Sequence, residues 1–115
     1  MSRDEALLLD MFLAASEAIQ FVAGLDQLQF AGSRLHQAAV IRSLEVIGEA
    51  ASRVSTPLRE AHSEIPWREM IGMRNRLIHA YARVSVDVVW NVARHRLPEL
   101  VAALQPLVPA PGDEV

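Results

Sequence analysis

Apolar residues recur at intervals of three and four along almost the whole chain, and no segment shows the strict alternation of a half-buried strand. Alanine, leucine, glutamate and arginine, which favour helix, are abundant. At 115 residues the chain is long enough for one hydrophobic core and too short for two. These features predict an all-α bundle formed by a single domain over residues 1–108, followed by a flexible tail over residues 109–115.

Capping residues predict the bounds of the first two helices. Ser2 and Glu5 have the spacing of a capping box, and the helix that they begin runs to Gly24. We expect residues 24–33 to form a connector, because a glycine lies near each end of this segment. The second helix is predicted over about residues 33–54.

Prolines and one serine predict the later boundaries. Thr56-Pro57 begins a short extra helical turn, and Pro66 begins the third helix, which is expected to fray near residues 81–83. Ser85 has the position of an N-cap for the fourth helix. Pro98 lies inside the apolar pattern of that last helix, so it predicts a kink or a split there.

The third helix has an arginine on its predicted core-facing stripe. That stripe consists of residues that follow one another at steps of four and three, namely Trp67, Ile71, Arg74, Ile78 and Tyr81. An unpaired buried charge costs several kcal/mol or more. We therefore expect Arg74 to be paired, or to face a cleft or a partner subunit.

Residues 74–81 bring an arginine, an amide, a histidine and a tyrosine into one octet. Asn75 and His79 are four positions apart, so they lie within reach of each other or of a shared third group. His79 also lies near a helix C-terminus, where the helix dipole stabilises an imidazolium without any catalytic role. From the spacing alone, the octet is either an active site or a structural polar seam or dimer contact.

Positive charge is concentrated in the part of the chain that contains the octet. Residues 1–65 carry five arginines and nine acids, whereas residues 66–96 carry six arginines and two acids, within a total net charge of −3. All eleven basic residues are arginines. Arginine suits bidentate contacts with phosphate, although genome composition can produce the same bias.

Several classes of protein and site are disfavoured by the sequence. The chain has no cysteine, which excludes disulfides and thiolate chemistry and favours a cytoplasmic protein. The charged N-terminus does not fit a signal peptide, and no apolar run reaches the roughly 18 residues of a membrane span. No phosphate-binding loop, dinucleotide-binding turn or nucleophile elbow occurs.

A metal site is not expected, even though the chain has four histidines and a pair of glutamates one helical turn apart. The histidines do not have the spacing of helical metal ligands, so we predict no metal and no cofactor. Glu45 and Glu49 repel each other unless a nearby cation offsets their negative charges. Arg42 and Arg53 can offset these charges in a surface ion-pair network. The alternative is that these glutamates orient Arg74 across the bundle.

The octet resembles the Arg-x4-His-x-Tyr signature of the HepT toxins, a branch of the HEPN superfamily of small helical nucleases. Residues 40–50 are similar to the second helix of that family. Pro66-Trp67-Arg68 and residues 71–75 are similar to the start of its third helix, and residues 87–90 with Leu97-Pro98 to its last helix. The resemblance covers roughly residues 4–104 in order.

This resemblance implies an up-and-down four-helix bundle that forms a homodimer, with two copies of the octet at a cleft between subunits. It implies a metal-independent endoribonuclease. The implied catalytic residues are Arg74 and His79, Asn75 is an implied auxiliary residue, and the residues that bind RNA are Arg68, Arg76 and Arg83. Glu45 and Glu49 are further auxiliary candidates through the orienting role considered above.

Proteins of this family are paired with a nucleotidyltransferase antitoxin of the MntA type, in what is called a type VII toxin–antitoxin system. The antitoxin attaches AMP to the tyrosine of the signature, which is Tyr81 here. A bulky anionic nucleotide beside Arg74 would repel RNA phosphates and switch the enzyme off. The alternative hypothesis is a non-catalytic helical subunit that binds and regulates a nucleotidyltransferase.

Overall fold

The computed structural model describes residues 1–80 and 83–109, and within these ranges the chain forms helices and turns without a β-strand. The predicted all-α class is confirmed. The elements in chain order are α1 (Arg3–Val22), α2 (Gln27–Ala31), α3 (Arg34–Arg53), α4 (Thr56–Ala61), α5 (Trp67–His79), α6 (Val86–Asn91), a π-helical segment (Val92–Arg96), α7 (Leu97–Leu104) and a 3-10 turn (Gln105–Leu107). Tyr81 and most of the predicted tail lie outside the described residues.

Helix α1 begins at the predicted capping box. The Ser2 hydroxyl accepts a hydrogen bond from the Glu5 N–H at 3.1 Å, and the Glu5 carboxylate accepts one from the Ser2 N–H at 3.2 Å. After the end of the helix, Gly24 has a φ of +82°, a conformation that glycine adopts at little cost. The first helix therefore has the start and the stop that its sequence predicts.

The predicted connector over residues 24–33 contains the short helix α2, which was not expected. Asp26 and Gln29 form a second capping box, with bonds of 2.8 and 2.9 Å between each side chain and the other residue's N–H. Phe30 is fully buried, and its ring centroid lies 5.4 Å from that of Trp90. A local cap and one aromatic anchor are thus enough to hold five residues in a helix.

Helix α3 is the central element, because both α1 and α5 pack against it, while α7 packs against α1. One apolar stripe of this region is buried throughout, and consists of Val40, Leu44, Ile47, Ala51 and Val54. Within residues 1–80 and 83–109, no helix combines the length and the apolar character that crossing a membrane requires.

The predicted split in the last helix occurs immediately before Pro98. The Leu97 N–H bonds to the carbonyl of Val92, five residues earlier, which is the hydrogen bond of a π-helix. Proline has no N–H to donate, and in a regular helix its ring would clash with the carbonyl four residues before it. The wider turn accommodates this ring, and α7 then continues to Leu104.

The predicted core stripe of the third helix was wrong in its orientation. The buried residues of α5 are Trp67, Met73 and Leu77, whereas Ile78 is 46% exposed. Ile71 and Arg74 are only half-buried. The methionines widen the apolar face of α5 on one side of the predicted stripe. The helix is rotated towards that side, and Arg74 therefore lies at the edge of the core.

Candidate functional site

The start of α5 is anchored by its tryptophan. The Trp67 side chain is buried, and its indole N–H donates to the His62 carbonyl at 3.0 Å. Pro66 precedes the first helical residue. This anchor fixes the rotation of α5, which directs Arg74 towards α3 and leaves Asn75 and His79 exposed.

The Arg74 guanidinium is held by two neighbours. One terminal nitrogen lies 2.9 Å from a carboxylate oxygen of Glu49, and the other donates to the side-chain oxygen of Asn75 at 3.0 Å. The side chain of Arg74 is 29% exposed. The expectation that this arginine is paired is therefore confirmed, with a partner on α3, 25 positions earlier in the chain.

Glu49 serves both of the roles considered for the glutamate pair. Its second carboxylate oxygen lies 3.0 Å from Arg53, while the first binds Arg74. Glu45 is half-buried, and it has no ion pair with any of the described residues. The bridging carboxylate thus keeps the Arg74 guanidinium in one place on the surface of α3.

A cavity of about 290 Å³ lies beside Arg74, between α1, α3 and α5. Its polar lining combines three acids and three arginines, which are Asp10, Glu45, Glu49, Arg42, Arg53 and Arg74. Asp10 had not been identified from the sequence. No local pattern distinguishes it from the other exposed acids of α1, and only the packing of α1 on α3 brings it to the cavity.

His79 is the last residue of α5 and is exposed. The side-chain oxygen of Asn75 binds Arg74, and among the described residues His79 makes no hydrogen bond or ion pair. Residues five positions apart point about 140° away from each other around a helix. Arg74 and His79 of one chain therefore face different directions around α5.

The other predicted RNA-binding arginines occupy a different part of the surface. Arg68 and Arg76 line a groove of about 350 Å³ between α5 and the last helices, on the side of α5 away from the charged cavity. Arg83 is exposed on the segment between α5 and α6. None of these three arginines lines the charged cavity beside Arg74.

Tyr81, the predicted site of modification, follows the C-cap residue Ala80 and lies outside the described residues. Within residues 1–80 and 83–109, no three histidine, aspartate or glutamate side chains come close enough to hold a metal ion together. The site as described therefore consists of guanidinium, carboxylate, amide and imidazole groups.

The chain matches a known family over most of its length. The family model described as "Ribonuclease HepT-like" matches residues 11–107. The protein named "Probable ribonuclease HepT" from Thermococcus cleftensis is 46% identical over 71 residues, which are 62% of this chain and 64% of that protein.

Two archaeal relatives match over a longer part of the chain. "Putative RNase MJ0125" from Methanocaldococcus jannaschii is 35% identical over 104 residues, or 90% of each chain. "Putative RNase MJ1380" from the same organism is 34% identical over 96 residues, or 84% of this chain and 88% of that protein. No solved structure matches the chain.

Proposed function

Because the chain belongs to the Ribonuclease HepT-like family, we propose that it is a metal-independent endoribonuclease in which Arg74 and His79 are the catalytic residues. The observation that carries this proposal is the family match over residues 11–107, which spans the Arg-x4-His spacing of this sequence. The half-buried Arg74, held between Glu49 and Asn75, fits a catalytic group whose position is set before substrate arrives.

We further propose that the active site forms between two copies of the chain. Arg74 and His79 of one subunit point in different directions, so a second subunit is needed to bring an imidazole towards a guanidinium. Asn75, Ile78 and His79 form an exposed strip at the end of α5, and Ile78 is a large apolar residue in that strip. An exposed apolar residue beside polar ones fits a contact between subunits.

The chemistry of these residues fits cleavage of RNA by its own 2′-hydroxyl. The 2′-oxygen attacks the adjacent phosphorus, and the bond from phosphorus to the 5′-oxygen of the next nucleotide breaks. His79 either takes the proton of the 2′-hydroxyl or gives a proton to the leaving 5′-oxygen. Arg74 stabilises the additional negative charge that the phosphorus oxygens carry in the transition state.

The auxiliary residues act through these two groups. Glu49 and Asn75 hold the Arg74 guanidinium, and Glu45 contributes negative charge to the same cavity. Arg68 and Arg76 on α5, together with Arg83 on the segment after it, attract the RNA backbone, and their contribution weakens as salt is added. The proposed roles of Arg68 and Arg76 therefore follow from where they lie on α5.

We propose that this nuclease is the toxin of a type VII toxin–antitoxin pair, with a nucleotidyltransferase of the MntA type as its antitoxin. Tyr81 is the only tyrosine in the chain, so it is the only residue that a tyrosine-directed adenylylation could modify. AMP on Tyr81, two positions after His79, would place a phosphate and a nucleoside next to the proposed site. The modified chain would no longer bind RNA.

The test is cleavage of a labelled RNA by the purified protein in the presence of EDTA. We expect Arg74→Ala and His79→Ala each to lower the cleavage rate by about two to three orders of magnitude, since each removes a group that acts in the transition state. His95→Ala and Arg94→Ala are the matched controls, because both residues are exposed on the π-helical segment. We expect these two controls to cleave at the wild-type rate.

Cleavage by His79→Ala at the wild-type rate would contradict the proposal. If the wild-type protein leaves RNA intact but copurifies with a nucleotidyltransferase from its own operon, the non-catalytic subunit is the better description. The intact mass of the coexpressed protein tests the modification separately, because increments of AMP should appear in the wild type and be absent from Tyr81→Phe.

A further inference from the structure

Helix α5 crosses α3 at Gly48, and Arg74 is the residue of α5 that lies against this glycine. A Cβ added to Gly48 would overlap the Cβ of Arg74, and would lie 2.7 Å from the Met70 carbonyl oxygen and 2.9 Å from the Arg74 Cγ. Carbon atoms that are not bonded do not approach this closely, so α5 would have to move. Gly48 is thus the residue of α3 against which the stem of the proposed catalytic arginine packs.

The residue that follows Gly48 in α3 binds the other end of the same side chain. The stem of Arg74 lies on Gly48, and its guanidinium binds Glu49 at 2.9 Å. The Arg74 Nε is buried at this crossing, with no hydrogen-bond partner among the described residues. Space at one position of α3 and negative charge at the next together determine where the guanidinium lies.

We propose that Gly48 is a positioning residue for Arg74. By having no side chain, it lets α5 lie close enough to α3 for the Arg74 stem to cross the helix and the guanidinium to reach Glu49. Any side chain at position 48 lifts α5 and moves the guanidinium away from the position in which it acts. The catalytic part of this inference rests on the proposed nuclease function, whereas the positional part does not.

Helix propensity makes the sign of the effect informative. Alanine at a helix interior is favoured over glycine, so Gly48→Ala would raise stability if nothing opposed it. Gly72, inside α5, is a matched control for stability because a Cβ there would meet nothing within 4 Å. We expect Gly72→Ala to raise the Tm and Gly48→Ala to lower it.

The kinetic test compares Gly48→Ala with Gly32→Ala. Gly32 ends α2, far along the chain from the site, and a Cβ there would make only ordinary contacts, the nearest at 3.5 Å. We expect Gly48→Ala to lower kcat by about one to two orders of magnitude, as a misplacement of about 1 Å can do. KM should change by less than about threefold, because the exposed arginines that attract RNA are unaffected. Gly32→Ala should have wild-type kinetics.

A second readout follows the arginine itself. The NMR resonance of the Arg74 Nε–Hε group should shift in Gly48→Ala and stay in place in Gly32→Ala. If Gly48→Ala folds with an unchanged kcat and an unchanged Arg74 resonance, the inference is wrong. Should the wild-type protein show no cleavage, the proposed function fails, while this resonance still tests whether Gly48 positions Arg74.

A double variant covers the case in which Gly48→Ala does not fold. Arg74→Gly removes the Cβ and Cγ that the new methyl group would meet, so Gly48→Ala should cost less stability in that background. Recovery of a folded protein, or a smaller fall in Tm, supports the contact. An equal loss of stability in both backgrounds would show that the Arg74 stem is not what Gly48 accommodates.

Discussion

At the scale of single residues, the site depends on how a charged group is held at the edge of a hydrophobic core. Arg74 is only half-buried, and its guanidinium has an anionic partner in Glu49 and an amide partner in Asn75. Such a partly exposed ion pair contributes little to stability, typically no more than about 1 kcal/mol. The ion pair instead fixes the direction of the guanidinium, because the Glu49 carboxylate accepts its hydrogen bond at one defined place.

Substitution of Glu49 separates its effect on the position of Arg74 from its effect on stability. Glu49→Gln keeps the shape of the side chain but removes the charge that binds both Arg74 and Arg53. We expect the free energy of unfolding to change by less than about 1 kcal/mol, while kcat falls about tenfold because the guanidinium is less well oriented. Chemical denaturation and RNA cleavage measure the two effects.

Glu17→Gln is the matched control, because Glu17 is an exposed glutamate of α1 that does not line the charged cavity. It should leave both quantities unchanged. If Glu49→Gln cleaves RNA as fast as the wild type, Glu49 has no positioning role.

At the scale of helices, local signals predicted most of the boundaries. The capping box of α1, the proline at the start of α4 and the serine before α6 all act within one helical turn, so they can be read without knowledge of the fold. The same kind of signal at Asp26 and Gln29 begins α2, within the segment that the two glycines predict to be a connector. The predicted rotation of α5 was wrong, because the rotation depends on which apolar residues of α5 pack against α3.

Helices α1 and α4 are joined by a contact that depends on pH. The Asp4 carboxylate accepts bonds from the Ser55 N–H at 3.0 Å and from the Ser55 hydroxyl at 2.5 Å. These hydrogen bonds lower the pKa of Asp4 below its ordinary value, outweighing the opposing effect of burial. A lowered folded-state pKa means that the contact stabilises the protein above the ordinary range of an aspartate carboxyl, and that this stabilisation is lost as the pH falls through that range and below it.

The corresponding prediction concerns Asp4→Asn. The Tm of the wild type should exceed that of the variant at neutral pH, and the difference should shrink in acid, where the wild-type carboxylate becomes protonated. Thermal unfolding at several pH values measures it. Glu60→Gln, at an exposed position of α4, should show no such convergence. A difference in Tm between the wild type and Asp4→Asn that is the same at every pH would contradict a pH-dependent contact between Asp4 and Ser55.

At the scale of the whole molecule, the end of α5 presents an exposed strip that residues 1–80 and 83–109 leave uncovered. It carries Asn75, Ile78 and His79, of which Ile78 also lines the charged cavity beside Arg74, and it belongs to the arginine-rich part of the sequence. A second copy placed on this face would cover Ile78 and bring together groups that point apart in the monomer. The proposed site is therefore a property of two chains.

Ile78→Asp tests this arrangement. Two buried carboxylates would oppose each other across a twofold interface, so we expect the variant to be monomeric and to lose cleavage of RNA. Sedimentation equilibrium measures the mass. Leu35→Asp is the control, because Leu35 is 77% exposed at the start of α3 and does not line the charged cavity. A dimeric, active Ile78→Asp would place the subunit contact elsewhere.

The sequence by itself determined the helical class, the positions of most helix ends and the family signature, because caps, prolines and residue spacing act over a few neighbouring positions. Only the tertiary structure decided that Arg74 meets Glu49, that Gly48 lies under its stem and that Asp10 joins the charged cavity. These contacts link residues that are far apart in the chain. Their formation depends on how helices rotate and approach one another, which the local pattern of any single helix does not contain.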